Sequence, residues 1–151
     1  MNILATGVFD LLHVGHLRYL QYARAQGTHL SVAVTREALV MAKKHKRPLI
    51  DEAQRLEMVR GVAGVDHADY MPSSLEDIEQ AVTWIRAWGI HKVVVGGEWE
   101  GSLRWQRLTP ALAVEGIQVC FAPHTPGISS TKIVASILER GRQGTSGVTT
   151  D

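Results

Sequence analysis

The chain has 151 residues, 45% hydrophobic and 21% charged. That suits one domain with a sizeable core and leaves little room for a second. A formal net charge of +1 excludes the strong basic excess of a general nucleic-acid binder, though a few placed cations still serve a small anionic substrate. The single cysteine, Cys120, excludes an internal disulfide and a cysteine-based zinc site.

In chain order, "NILATG" (2–7) is a short apolar run ending in glycine. Leu17, Leu20 and Ala23 then repeat at helical spacing over 16–25, and "HLSVAVT" (29–35) is a continuous β-branched run, the pattern of a strand buried on both faces. The basic run "AKKHKRPLI" follows the second strand and its helix. Leu56, Val59 and Ala63 mark a helix over 52–63, and "VDHADY" (65–70) is a weaker strand. Leu75, Ile78, Val82 and Ile85 define an amphipathic helix over 75–88, with Ser73 and Glu76 as its expected capping box. "KVVVGG" (92–97) and "IQVCFA" (117–122) are two more buried strands, the second placing Cys120 as a small core residue. A last helix starts near Ser130 or Thr131. Strands alternating with helices predict a Rossmann-like, doubly wound parallel α/β sheet of about five strands. One domain is expected over 1–140, with a disordered polar tail over 141–151. The start "MNILATGVFD" has no secretory pattern and no apolar run reaches the ~20 residues of a membrane span. A cytoplasmic protein without membrane or nucleic-acid partners is therefore expected.

In such a sheet the ligand binds beyond the carboxyl ends of the strands, where the strand order reverses. Four unusual stretches fall there. Gly7 ends the first strand, and "LHVGH" opens the following helix with His13 and His16 around Gly15. A helix N-terminus favours an anion, and two imidazoles there can stabilise charge on a phosphate. A lone histidine in such a turn is more often structural; two around a glycine shift the balance. Lys44, Lys46 and Arg47 belong to the basic run, which is either a solvated loop or a cover folded over the strand ends. "GGEWEG" holds Gly96, Gly97 and Glu98, candidates for the nucleotide side, and Trp99, a candidate for the acceptor side. "HTPGISST" runs from His124 and Thr125 through Gly127 and Ile128 to Ser129, Ser130 and Thr131, a capped helix start with spare hydroxyls. Walker-type, dinucleotide-binding and nucleophile-elbow signatures are absent, and His13 and His16 have no third metal ligand at suitable spacing.

"GVFDLLHVGH" resembles the H-x-G-H signature of the cytidylyltransferase-like nucleotidyltransferases, and "TPGISSTKI" resembles their second signature. The resemblance covers residues 2 to about 138. It implies a nucleoside triphosphate with Mg²⁺, in-line attack by a phosphorylated acceptor on the α-phosphorus, release of pyrophosphate, and a homodimer. By position it assigns His13 and His16 to the transition state, and Lys44 and Lys46 to acceptor phosphate and triphosphate. It puts Val8, Phe9 and Asp10 on the nucleotide, Arg55 on the acceptor, and Ser129, Ser130 and Thr131 on phosphates. "GGEWEG" and "TPGISSTKI" are similar to glycerol-3-phosphate cytidylyltransferases, which favours CTP and a small phosphorylated polyol or sugar. Gly97 and Glu98 stand where those enzymes carry two aspartates, and His124 and Ala63 where they carry arginines. "KRPLIDEAQRLEMV" and "VVVGGEW" resemble ADP-heptose synthases, an adenylyl-transferring alternative, and faintly the archaeal FAD synthases. A non-catalytic nucleotide sensor is the alternative of another class.

Overall fold

A computed structural model describes residues 1–144 of the chain. Strands β1 (Asn2–Gly7), β2 (His29–Val34), β3 (His67–Tyr70), β4 (Lys92–Val95) and β5 (Gln118–Phe121) form one sheet in the order β3-β2-β1-β4-β5. All four neighbouring pairs are parallel. The connections carry helices α1 (Val14–Ala25), α2 (Glu37–Lys44), α3 (Glu52–Arg60), α4 (Ile78–Ala87) and α5 (Leu103–Val114), and α6 (Ser130–Arg142) follows β5. This is the Rossmann-like, doubly wound arrangement, with a crevice where the order reverses between β1 and β4.

The pleat of β1 sorts the core into two layers. Ile3 and Ala5 pack with Leu20 and Ala23 of α1 and Leu56 and Val59 of α3. Leu4 points the other way, into a layer with Trp84 and Ile85 of α4 and Trp105 and Leu108 of α5. Strands covered on both faces have no polar face to show, which is why they read as unbroken apolar runs.

Several boundaries differ from the sequence expectation for local reasons. Helix α1 starts at Val14 because His13 itself caps it. Helix α3 stops at Arg60, leaving Ala63 exposed beyond its end. Helix α4 starts only at Ile78, capped by Asp77, whose carboxylate accepts from Gln80 N–H. Ser73 and Glu76 are thus no capping box; Leu75 is buried from the preceding turn. Helix α5 was not expected at all. Pro110 lies inside it and cannot donate to the helical ladder, but Trp105, Leu108 and Leu112 bury one face and hold the helix. Helix α6 runs to Arg142, so the expected tail begins inside a helix; residues 145–151 lie outside the described residues. Among the described residues no helix is long and apolar enough to cross a membrane.

The β1–β4 ladder ends at Ala5–Val94, and the two strands separate beyond it. The Tyr19 hydroxyl fills the fork, accepting from Thr6 N–H at 3.0 Å and donating to the Val94 carbonyl at 2.6 Å. Burial pushes this phenol further above its ordinary pKa, so it stays a donor. Tyr19→Phe strands both backbone groups and is expected to cost about 1–3 kcal/mol in urea unfolding; an unchanged midpoint would show the fork closes without it.

Candidate active site

The site begins at the β1–α1 turn. A Cβ on Gly7 would stand 3.0 Å from the Phe9 ring, so glycine lets Phe9 fold back. Phe9 and Leu11 both take the left-handed backbone region, at φ 56° and 51°. The Phe9 ring is buried beside His16, with 5.5 Å between centroids.

His13 is the N-cap of α1. Its Nδ1 accepts from Gly15 N–H at 3.0 Å, and His16 Nδ1 accepts from His13 N–H at 3.1 Å. A reciprocal box of this kind is ordinarily built from Ser or Thr with Glu or Gln; two stacked imidazoles, 3.9 Å apart, build it here. A Cβ on Gly15 would lie 2.8 Å from His13 Cε1, which accounts for the glycine between them. Because each Nδ1 accepts, each ring carries its proton on Nε2. Burial, reinforced by the neighbouring His13, lowers the His16 pKa to about 4 against a small opposing effect of Asp10. Burial also lowers that of His13. At neutral pH both rings are uncharged donors.

A cavity of about 360 Å³ opens over the carboxyl ends of β1, β2 and β4, with His16 in its wall and His13 and Gly15 outside it. The basic run, from the last turn of α2 into the loop after it, closes one side. Two of its cations are engaged, Lys43 with Glu76 at 2.9 Å and Arg47 with Glu37 at 2.6 Å. Lys44 and Lys46 line the cavity and have no ion-pair partner among the described residues. The loop is anchored by Asp10, whose two carboxylate oxygens accept from Leu49 N–H at 2.8 Å and Ile50 N–H at 2.9 Å. Val8 and Phe9 line the same cavity.

Arg55 does not reach the cavity. It is 1% exposed. Its Nη1 donates to the Val8 and Thr35 carbonyls, both at 2.7 Å, and its Nε to the Ile50 carbonyl. It braces the ends of β1 and β2 from below, so acceptor contact is replaced by a structural role.

On the far side, Gly96, Glu98 and Trp99 line the cavity. Gly97 does not, and a Cβ on it would overlap the Ala122 carbonyl oxygen; its side chain is absent so that the loops after β4 and β5 can touch. His124 also lies outside the wall, its Nδ1 4.0 Å from Glu98 Oε2. Thr125, Gly127, Ile128 and Ser129 stand behind the wall, Ser129 as the cap of α6, accepting from Lys132 N–H. Ser130 and Thr131 line the cavity, and Ser130 Oγ donates to the Asp10 carbonyl at 2.7 Å.

The remaining wall was missed by sequence reasoning. Leu39, Met71, Leu75 and Trp105 form an apolar wing beside the cations, with Arg104 at its rim. In the sequence these apolar residues carry only a core signal, and Arg104 belongs to the helix that Pro110 obscured.

A family model described as cytidylyltransferase-like matches residues 4–136. The chain belongs to the cytidylyltransferase-like family. It is a nucleotidyltransferase. An FAD synthase of Methanocella arvoryzae is 38% identical over 142 residues, covering 91% of this chain and 96% of that one. An FAD synthase of Methanohalophilus mahii is 37% identical over 93% and 96%. These relatives displace the expected kinship with glycerol-3-phosphate cytidylyltransferases. A lipopolysaccharide core biosynthesis protein from Thermoplasma volcanium superposes with a TM-score of 0.64 at 26% identity, covering 83% of this chain and 96% of that one. Pantothenate synthetase from Thermus thermophilus, at 16% identity and a TM-score of 0.61 over 93% and 63%, shares the fold.

For this cytidylyltransferase-like protein, the cavity brings together the neutral His16 imidazole, two free ammonium groups and a hydroxyl-bearing helix start, a set suited to stabilising phosphate charge. Among the described residues no cluster of three His, Cys, Asp or Glu side chains could hold a metal ion.

Charging His16 requires a proton on the Nδ1 that accepts from His13 N–H. Its native pKa lies below the unfolded value near 6.5, so the stability it confers is complete above pH 6.5 and is lost as pH falls toward about 4. His16→Gln keeps an acceptor for His13 N–H at every pH. The wild type should therefore lose more thermal stability than this variant between pH 6.5 and 4; parallel melting curves would refute the assignment.

Proposed function

We propose that the protein transfers the adenylyl group of MgATP to the phosphate of FMN, forming FAD and pyrophosphate. The observation that carries this reading is 38% identity to an FAD synthase across nearly the whole of both chains. The cavity supports it, because its phosphate-suited wall adjoins the apolar wing of Leu39, Met71, Leu75 and Trp105. A planar tricyclic ring gains from such a wall, which a hydrated polyol would not use.

In this reading an FMN phosphate oxygen attacks the α-phosphorus in line. The bond from that phosphorus to the β-bridging oxygen breaks, and its electron pair leaves with pyrophosphate. His13 and His16 donate Nε2–H bonds to oxygens whose negative charge grows, without having to lose a proton first. Lys44 and Lys46 hold the acceptor phosphate and the triphosphate. Thr131 contributes its hydroxyl at the start of α6, where Ser130 commits its own proton to the Asp10 carbonyl. Magnesium enters with the nucleotide as part of the substrate. Positioning and fixed electrostatics supply the catalysis.

The decisive assay offers ATP or CTP with FMN or glycerol 3-phosphate and separates products by chromatography. FAD should form from ATP and FMN alone. A CDP-linked product from glycerol 3-phosphate would overturn the reading, and nucleotide binding without any turnover would favour a sensor. His16→Gln, which keeps the helix cap, should lower the FAD-forming rate about 10²–10³-fold, the scale of losing one transition-state donor. A twofold loss would reduce His16 to a capping residue.

A further inference from the structure

One side-chain cluster at the cavity rim takes no part in phosphate chemistry. Glu76 Oε1 lies 2.9 Å from Lys43 Nζ and 3.0 Å from Arg104 Nε. The three residues come from the end of α2, the turn before α4 and the start of α5, separated by 33 and 28 positions in sequence. The guanidinium carbon of Arg104 stands 4.6 Å from the centre of the Trp99 ring. Hydrogen bonds from Lys43 and then Arg104 hold the Glu76 carboxyl below its ordinary range, so the bridge stays charged at neutral pH.

Arg104 is therefore held on one face by Trp99 and on its Nε edge by Glu76. Its side chain is only 16% exposed, and it lines the cavity together with Lys43 and Trp99. Among the described residues its Nη1 and Nη2 groups have no hydrogen-bond partner. A guanidinium fixed in this way presents a planar pair of donors that lose little freedom on binding. The matching ligand is a flat heteroaromatic ring with adjacent acceptors on one edge and an apolar body. The isoalloxazine ring has that form, with carbonyl and imino acceptors on its pyrimidine edge and a dimethylbenzene end suited to Leu39, Met71 and Leu75.

Resting on the FMN reading, we propose that Arg104, fixed by Glu76 and Trp99, recognises the pyrimidine edge of the flavin, and that the Lys43–Glu76–Arg104 clasp sets acceptor choice. Arg104 is the binding residue. Glu76 is a positioning residue that acts through it.

The test uses the full chain with Arg104→Leu, Arg104→Lys and Glu76→Gln, each verified as folded by circular dichroism and melting temperature. Loss of a charged hydrogen-bond donor should raise the KM for FMN about tenfold or more in Arg104→Leu, with the KM for ATP held within about twofold. Arg104→Lys, which keeps the charge without the planar fork, should fall between wild type and Leu. Glu76→Gln should raise the FMN value alone, as a general structural defect would not. Riboflavin lacks the phosphate, so its inhibition constant as a competitor of FMN should rise by the same factor as the FMN KM in Arg104→Leu. An unchanged FMN KM, or an equal rise for ATP, would overturn the inference while leaving FAD synthesis intact. Failure of the wild type to bind FMN or form FAD would instead overturn the reading on which it rests.

Discussion

The carboxylate of Asp10 joins three parts of the chain that sequence separates widely. Its two oxygens bind backbone N–H groups of Leu49 and Ile50, and its own carbonyl accepts from Ser130. The turn after β1, the end of the basic loop and the start of α6 are thereby fixed to one residue. Arg55 strengthens the same point from inside, through the carbonyls of Val8, Thr35 and Ile50. Charge-assisted bonds to main-chain groups are stronger than neutral ones, and here they set the distances between groups that can meet a triphosphate. Asp10 also lines the cavity, and each of its carboxylate oxygens is engaged by one main-chain N–H, which holds the walls.

Around that anchor the charges are sorted. Lys43 and Arg47 are neutralised by Glu76 and Glu37, which leaves Lys44 and Lys46 as the loop's free cations. The histidines meanwhile are kept neutral by burial and by the direction of their own capping bonds. A pair of imidazolium ions 3.9 Å apart would repel each other and release the cap of α1. Two neutral Nε2–H donors avoid that repulsion and still offer directed dipoles at a helix N-terminus, where the backbone supplies further positive potential. Long-range attraction of an anion falls to the lysines, and short-range alignment to the imidazoles. The cap and the candidate chemistry are thus one arrangement, which is why a glycine must separate the two rings.

Where the function needed particular side-chain types at short spacing, the sequence was legible. His13, Gly15 and His16 sit within four residues, Lys44 and Lys46 within three, and Ser130 and Thr131 at a helix start; all lie after apolar runs that became strands. Strands β1, β2 and β4 were readable because burial on both faces leaves few polar residues in them, while β3, with His67 and Asp69 exposed, carried the weaker pattern. What escaped was set by tertiary contact. Gly97 and Arg55 looked like ligand residues because of their place in the motifs, yet one lets two loops touch and the other carries the floor. Glu76 looked like a helix cap, but its partners are 33 and 28 positions away. Helix α5 was hidden by Pro110, whose missing donor is outweighed by burial of Trp105, Leu108 and Leu112.

The acceptor end of the cavity shows the same limit most clearly. Met71, Leu75 and Trp105 are each under 5% exposed, so their pattern in the sequence is that of any core. They pack with Leu4, Trp84 and Leu108 in the core layer, and the small uncovered part of each faces the cavity. An apolar wall beside a cluster of cations offers little to a hydrated polyol phosphate. It is consistent with an acceptor that is flat and apolar at one end and anionic at the other. In the proposed reading the phosphate end fixes where the reaction occurs, and the wing supplies binding free energy that holds the acceptor there. A resemblance carried by H-x-G-H and "GISST" reports on the first of these alone. Among the departures, Gly97, His124 and Ala63 lie outside the cavity wall while Glu98 lines it, and the apolar wing with Arg104 at its rim is marked by no motif.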